Sequence, residues 1–159
     1  MSEQQSPRQR LLESRVRTYF DGCNEGSHSK MASVFAPSIA HYFPPGMFGP
    51  RVGSHAIAAL WRDMIRSAGS RWTIDRMISS DTEVVVEWTH FQPATGTYVR
   101  GAEWYEFDED GLITVIKAYY ASPRDRSLAA NELDGYPYAE LGYPMAAPDE
   151  APTLDETDN

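Results

Sequence analysis

Ala102-Glu103-Trp104-Tyr105-Glu106-Phe107-Asp108-Glu109-Asp110-Gly111-Leu112-Ile113 reads as a strand, an acidic turn and the start of a second strand. In an extended strand successive side chains point to opposite faces. Gly101, Glu103, Tyr105 and Phe107 therefore share one face, and Arg100, Ala102, Trp104 and Glu106 share the other. Residues 108–111 read as a turn, after which alternation resumes. Thr114, Ile116, Ala118 and Tyr120 then oppose Val115, Lys117 and Tyr119. Upstream, Val84, Val86, Trp88 and His90 form an apolar set ending in a histidine, opposed by Glu83, Val85, Glu87, Thr89 and Phe91. Strands are predicted over 71–79, 83–92, 97–107 and 112–121, with short turns at Ser80-Asp81 and Ala94-Thr95-Gly96, which makes an antiparallel meander.

Before residue 71 the apolar period is 3.6 rather than 2. Leu12, Val16, Tyr19, Phe20 and Cys23 lie on one helical stripe, closed by Gly26 and Ser27. A short second helix is predicted over 30–35, broken by Pro37, and Ile39-Ala40-His41-Tyr42-Phe43 reads as a strand stopped by Pro44-Pro45-Gly46. Ser54 is placed as the N-cap of a third helix with Ile57, Leu60, Trp61, Met64, Ile65 and Ala68 on its apolar face. Helices first and a meander last predict an α+β domain, with three N-terminal helices packed on one face of a curved antiparallel sheet.

The 159 residues suit one domain, and 42% hydrophobic with 23% charged residues is a globular composition. The net charge of −9 is unevenly placed. Residues 122–159 hold nine acids against two arginines, leaving fourteen acids and twelve bases in 1–121. A near-neutral body with an acidic tail does not suit phosphate backbones, so no nucleic-acid partner is expected. Cys23 is the single cysteine, so no internal disulfide can form. The N-terminus lacks the charge pattern of a secretion signal, and no apolar run reaches membrane-spanning length; a cytoplasmic protein with no membrane partner is expected. Three segments are predicted: a domain over 1–122, a Pro/Tyr-rich extension over 123–145 either laid on the surface or covering a pocket mouth, and an acidic, disordered tail over 146–159.

If the more apolar strand faces meet the helices, His90 and Glu103 point into one interior from neighbouring strands and are candidate partners. A carboxyl and an imidazole in an apolar interior cost several kcal/mol unless they pair or serve chemistry. Both a structural pair and a catalytic one satisfy that argument. Tyr19, on the apolar helix stripe, needs a partner or a ligand for its hydroxyl. His41 shares a face with Ile39 and Phe43, while His28 and His55 sit near helix starts and Asn24 at a helix end. The inward set offers no metal-ligand cluster, and Cys23 has no adjacent base. On the other sheet face, Glu87, Arg100, Trp104, Glu106, Lys117 and Tyr119 combine charge with large aromatics. This composition suits a homodimer contact through the outer sheet, against the alternative of a solvated face.

The order of elements resembles the nuclear transport factor 2-like superfamily, in its SnoaL-like and ketosteroid-isomerase-like branch. The resemblance covers roughly residues 10–121 and rests on Arg17-Thr18-Tyr19-Phe20, on Gly53-Ser54-His55-Ala56-Ile57, and on residues 102–113 followed by Ala118-Tyr119-Tyr120. It implies a cone-shaped domain enclosing a pocket. It places Glu103 where ketosteroid isomerases hold a protonated carboxylic acid of the oxyanion hole, and Tyr19 where they hold the neighbouring hydroxyl donor, a pairing known as a general example of such a site. Phe43 stands where those enzymes carry their aspartate base. His90 resembles the pocket histidine of polyketide cyclases and dehydratases. The limonene epoxide hydrolase pattern needs an inward arginine, whereas Arg100 has the wrong parity.

The function expected from these readings is cofactor-free proton transfer, by a dehydratase, cyclase or isomerase, on an apolar hydroxylated or carbonyl substrate. His90 would be a general acid or base of near-neutral pKa, Glu103 would orient it or donate to an oxyanion, and Tyr19 would bond the substrate oxygen. His41, Phe43, Trp88, Tyr105, Ile116 and Tyr120 would line the pocket. The alternatives are a non-catalytic ligand-binding or scaffold domain and an epoxide hydrolase.

Overall fold

In the computed structural model, which describes residues 4–158, two helices, two strands, a third helix and five further strands follow in order, and the seven strands form one curved sheet. Helix α1 (Pro7–Glu25) begins with a capping box in which Ser6 accepts from the Gln9 amide and the Gln9 side chain returns to Ser6. It ends at Gly26, whose φ of 64° is the left-handed geometry a helix stop favours. Its predicted stripe, Leu12, Val16, Tyr19, Phe20 and Cys23, is buried. Helix α2 (His28–Ala32) lies slightly earlier than the sequence predicts. Helix α3 (Ser54–Ala68) is capped by Gly53 rather than Ser54. The Ser54 hydroxyl instead pairs with His28 Nε2 at 3.0 Å, tying two helix starts together.

The meander strands β3 (Arg71–Ser79), β4 (Glu83–Gln92), β5 (Thr97–Phe107) and β6 (Ile113–Tyr120) fall within a residue of the expected bounds. Strand β1 (Phe35–Tyr42) starts earlier than expected and contains Pro37. Proline is tolerated where a ladder is interrupted, and the β1–β6 register slips between Phe35 and Ala40. The sheet runs β2 (Arg51–Val52), β1, β6, β5, β4, β3, and β1 lies parallel to β6 with His41 opposite Ile116. Strand β7 (Ala130–Asn131) joins β5 beside Tyr98 and Val99. No described helix is long and apolar enough to cross a membrane.

The inner sheet face and the helices enclose one core that includes Val16, Tyr19, Met31, Ile39, Ile57, Val84, Tyr105, Ile113 and Ile116. The outer face requires a correction. Arg100, read as part of a subunit contact, is 2% exposed and held by its own chain. Its Nε donates to Glu132 at 2.7 Å and its Nη2 to the Pro144 carbonyl at 3.1 Å, while Nη1 donates to Thr89 at 2.8 Å. The guanidinium also lies 4.3 Å from the Tyr138 ring centroid. Tyr143 donates to Glu87 and accepts from Arg76. The C-terminal extension thus lies on this half of the outer face, and its two arginines, Arg124 and Arg126, border the open end of the fold. Farther along the face Ile78, Trp104 and Tyr119 remain exposed. Beyond the extension, Asp149 pairs with Arg71 at 2.7 Å, Glu156 pairs with Arg66 at 2.7 Å, and Ala151 and Leu154 pack against the core.

Candidate functional site

Alternation along β4 and β5 and the apolar stripes of α1 and α3 converge on an interior cavity. It is lined by Tyr19, Phe20 and Cys23 from α1, Trp61 from α3, and Trp72, Trp88, His90, Glu103, Ala118 and Tyr120 from the sheet, with Phe43 just past β1. Its walls are aromatic and its free volume is about 20 Å³, room for one or two waters. Asn24 fixes one wall: it donates to the Trp72 carbonyl and accepts from the Trp72 amide, both at 2.8 Å. Opposite Trp88 stands Gly101, where a Cβ would come within 2.7 Å of the indole ring and clash with the Tyr119 carbonyl. Only glycine leaves that indole its place.

The polar groups are few. Glu103 is 7% exposed; its Oε2 accepts the Tyr105 hydroxyl and its Oε1 lies 3.3 Å from His41 Nε2. That last approach is an ion-pair distance without hydrogen-bond alignment, and neither His41 ring nitrogen has a hydrogen-bond partner among the described residues. The His41 ring is fully buried and stacked on Phe43 at 4.1 Å between centroids. Tyr19 accepts from Trp61 Nε1 at 2.8 Å, leaving its own proton to be donated. The Trp88 indole N–H is buried without a partner.

Electrostatics set the proton positions. Burial, reinforced by the neighbouring Glu103 charge, pushes the Tyr105 and Tyr120 hydroxyls up. Burial does the same at Tyr19, with Cys23 and then Glu103 adding to it. The buried Cys23 thiol is pushed up as well. All three phenols are therefore donors at neutral pH, and the thiol is no nucleophile. His90 is lowered to about 3, first by burial and then by Arg124.

His90 and Glu103 both face the cavity, but they are not partners. His90 pairs in register with Val99, and Glu103 with Val86. Four residues along β4 separate the two, about 13 Å at 3.3 Å per residue. The pairing is centred midway between residues 94 and 95, so His90 lies about four and Glu103 about eight residues from the turn, which leaves them on different rungs of the ladder. His90 Nε2 instead meets Ser70 Oγ at 2.7 Å, and its ring stacks on Trp72. Its low pKa also corrects the expectation of a near-neutral acid–base. Among the predicted wall residues, Phe43, Trp88 and Tyr120 line the cavity, whereas His41, Tyr105 and Ile116 are fully buried behind it. Phe20, Cys23, Trp61, Trp72 and Ala118 line it as well; the signal for all but Trp72 was membership of an inward stripe. Among the described residues no group of three or more His, Cys, Asp or Glu side chains could hold a metal ion.

Comparison with known proteins follows the same outline. Residues 16–116 match the SnoaL-like domain family. A protein of unknown function with a cystatin-like fold from Methylobium petroleophilum PM1 is 42% identical, with 91% of this chain and 97% of that one covered and a TM-score of 0.71. A putative ketosteroid isomerase from Kribbella flavida is 13% identical over 92% of this chain and 97% of that one, with a TM-score of 0.62. A putative SnoaL-like polyketide cyclase from Jannaschia sp. CCS1 is 12% identical over 75% and 91%, with a TM-score of 0.61. At those identities the last two are similar in fold alone. No protein of curated function matches the sequence.

Proposed function

From the premise that the chain belongs to the SnoaL-like domain family, we propose that it is a proton-transfer enzyme, an isomerase, cyclase or dehydratase, acting on a small apolar carbonyl or hydroxylated compound through its own side chains. The observation that carries this reading is Glu103: a buried carboxyl at the wall of an aromatic cavity, with Tyr19, Tyr120 and the unpartnered Trp88 N–H around the same space. A carboxylate so placed takes a proton from carbon next to a carbonyl and returns it elsewhere. The substrate oxygen, as it gains negative charge, is held by the buried Trp88 N–H, which has no partner, and by Tyr19, whose proton turns to it from the neighbouring Cys23 sulfur. Tyr105 is a positioning residue that holds Glu103 Oε2 by a hydrogen bond, and His41 stands beside Oε1 at 3.3 Å. His90, neutral and bonded to Ser70, serves as a hydrogen-bonding group at the entrance, acting apart from Glu103. Epoxide hydrolysis is disfavoured, because Arg100 is committed to Glu132 and Thr89 on the outer face.

Substrate entry requires the His90 and Tyr120 side chains, which the cavity shares with the space outside it, to part, because the cavity admits little more than water. That tightness favours one second reading, a non-catalytic domain whose interior is simply packed. Crystals soaked with small ring ketones and alcohols separate the two. An oxygen within about 3 Å of Tyr19 or Trp88, with carbon against Glu103, supports catalysis; ligand excluded from the interior supports the packed domain. A homodimer through the uncovered part of the outer face, around Ile78, Trp104 and Tyr119, completes the proposal. Sedimentation of a Trp104→Glu variant as a monomer beside a dimeric wild type supports it, and identical sedimentation of the two removes it.

A further inference from the structure

His90 and Tyr120 have a second side. Outside them lies a basin of about 890 Å³ that shares these two residues with the inner cavity. Met47, Phe48 and Met64 give it an apolar floor, and Arg124 and Arg126 stand at its edge. No aspartate or glutamate lines it, although the chain carries a net charge of −9.

The two arginines are not spent on internal pairing. Arg126 makes no hydrogen bond or ion pair among the described residues. Arg124 makes a long 3.5 Å bond to the Asp125 carbonyl. The Asp125 carboxylate turns to its own loop, accepting from the Ser127 amide at 2.9 Å and hydroxyl at 2.7 Å. Arg124 also stands close enough to the shared wall that its charge lowers both His90 and Tyr120. Two available guanidiniums at the rim of an apolar basin match an anion in charge and hydrogen-bond geometry.

We propose that this basin seats an anionic headgroup, a carboxylate or phosphate monoester, at one end of an apolar substrate whose other end reaches the Glu103 cavity through the Tyr120–His90 wall. This rests on the reading of the inner cavity as a substrate site and narrows the substrate from an apolar compound to an amphiphilic anion.

Calorimetric titration with octanoate, octyl phosphate and neutral octanamide tests it, on the wild type and on an Arg124→Gln/Arg126→Gln variant whose fold is checked by thermal melting. Both positions are exposed, so the variant is expected to fold. The wild type should prefer at least one anion over the amide by about tenfold or more, the sum of two charge-assisted contacts, and the variant should bring that ratio close to one. The two anion arms tell carboxylate from phosphate. Equal affinity for anions and amide in the wild type overturns the anionic seat while leaving the inner cavity reading intact. A preference that survives in the variant overturns the role of these arginines. Binding of none of the three overturns the cavity reading together with this one.

Discussion

Replacing Glu103 with Gln separates chemistry from architecture. The glutamine oxygen can accept the Tyr105 hydroxyl that Oε2 accepts now, and its amide can face His41. A bond to a charged acceptor, about 1.5–3 kcal/mol, becomes a neutral one of about 0.5–1.5 kcal/mol, a loss of roughly 1–1.5 kcal/mol. Against that stands the removal of a buried carboxylate whose desolvation amounts to several kcal/mol. His41 at 3.3 Å lacks the alignment to offset it. The variant should therefore range from unchanged to about 2 kcal/mol more stable, a rise in Tm of up to about 8 °C for a domain of this size. Turnover should fall about 100-fold or more. Urea unfolding followed by tryptophan fluorescence gives the first number and substrate conversion the second. A loss of about 3–5 kcal/mol refutes the reasoning, because that is the signature of a buried pair kept for stability.

Two further outcomes follow from groups outside that carboxyl. His90 is neutral in the fold, lowered to about 3, while the unfolded chain takes up its proton near 6.5. The unfolded state binds more protons between those values, so this contribution is complete above about pH 6.5 and is lost as pH falls toward 3, at up to about 1.4 kcal/mol per unit. A His90→Gln variant should show a shallower decline in urea midpoint between about pH 6.5 and 4; parallel profiles would contradict the neutral, buried histidine. Arg100→Ala removes the clamp on Glu132 and the Pro144 carbonyl and should cost about 3–5 kcal/mol. Limited proteolysis should then cut first within residues 129–145, and an unchanged cleavage pattern would show that the clamp does not hold the extension.

The features of the fold legible in the sequence are those governed by short-range periodicity. Strands β4 to β6 keep a period of two over most of their length, so their bounds and inward faces followed from parity, whereas β3 carries a bulge between Ile74 and Arg76 that parity does not foresee. That parity correctly sent Glu103, His90, Trp88 and Tyr120 inward and Arg100 outward. What parity does not carry is distance along a ladder: the pairing of His90 with Val99 follows from the turn geometry at Pro93–Thr95. The true neighbour of Glu103 depended on long-range topology. Strand β1 runs parallel beside β6, with His41 opposite Ile116, while Ala118 faces Glu103 on the other side of β6. No local pattern announces a parallel neighbour from so far along the chain. The outer face misled for a related reason: aromatic and charged side chains suited to burial were read as awaiting a second subunit, and part of that surface is covered by Tyr138 and Tyr143 of the same chain.

Deuterium uptake into cyclohexanone, followed by proton NMR in heavy water, isolates the chemistry assigned to Glu103, because exchange next to the carbonyl needs only a base and an oxygen donor. Wild-type protein should speed exchange well above buffer, and Glu103→Gln should lower that acceleration about 100-fold with the fold intact. Exchange no faster than buffer, or equal in the two proteins, would contradict a proton-transferring role for this carboxyl.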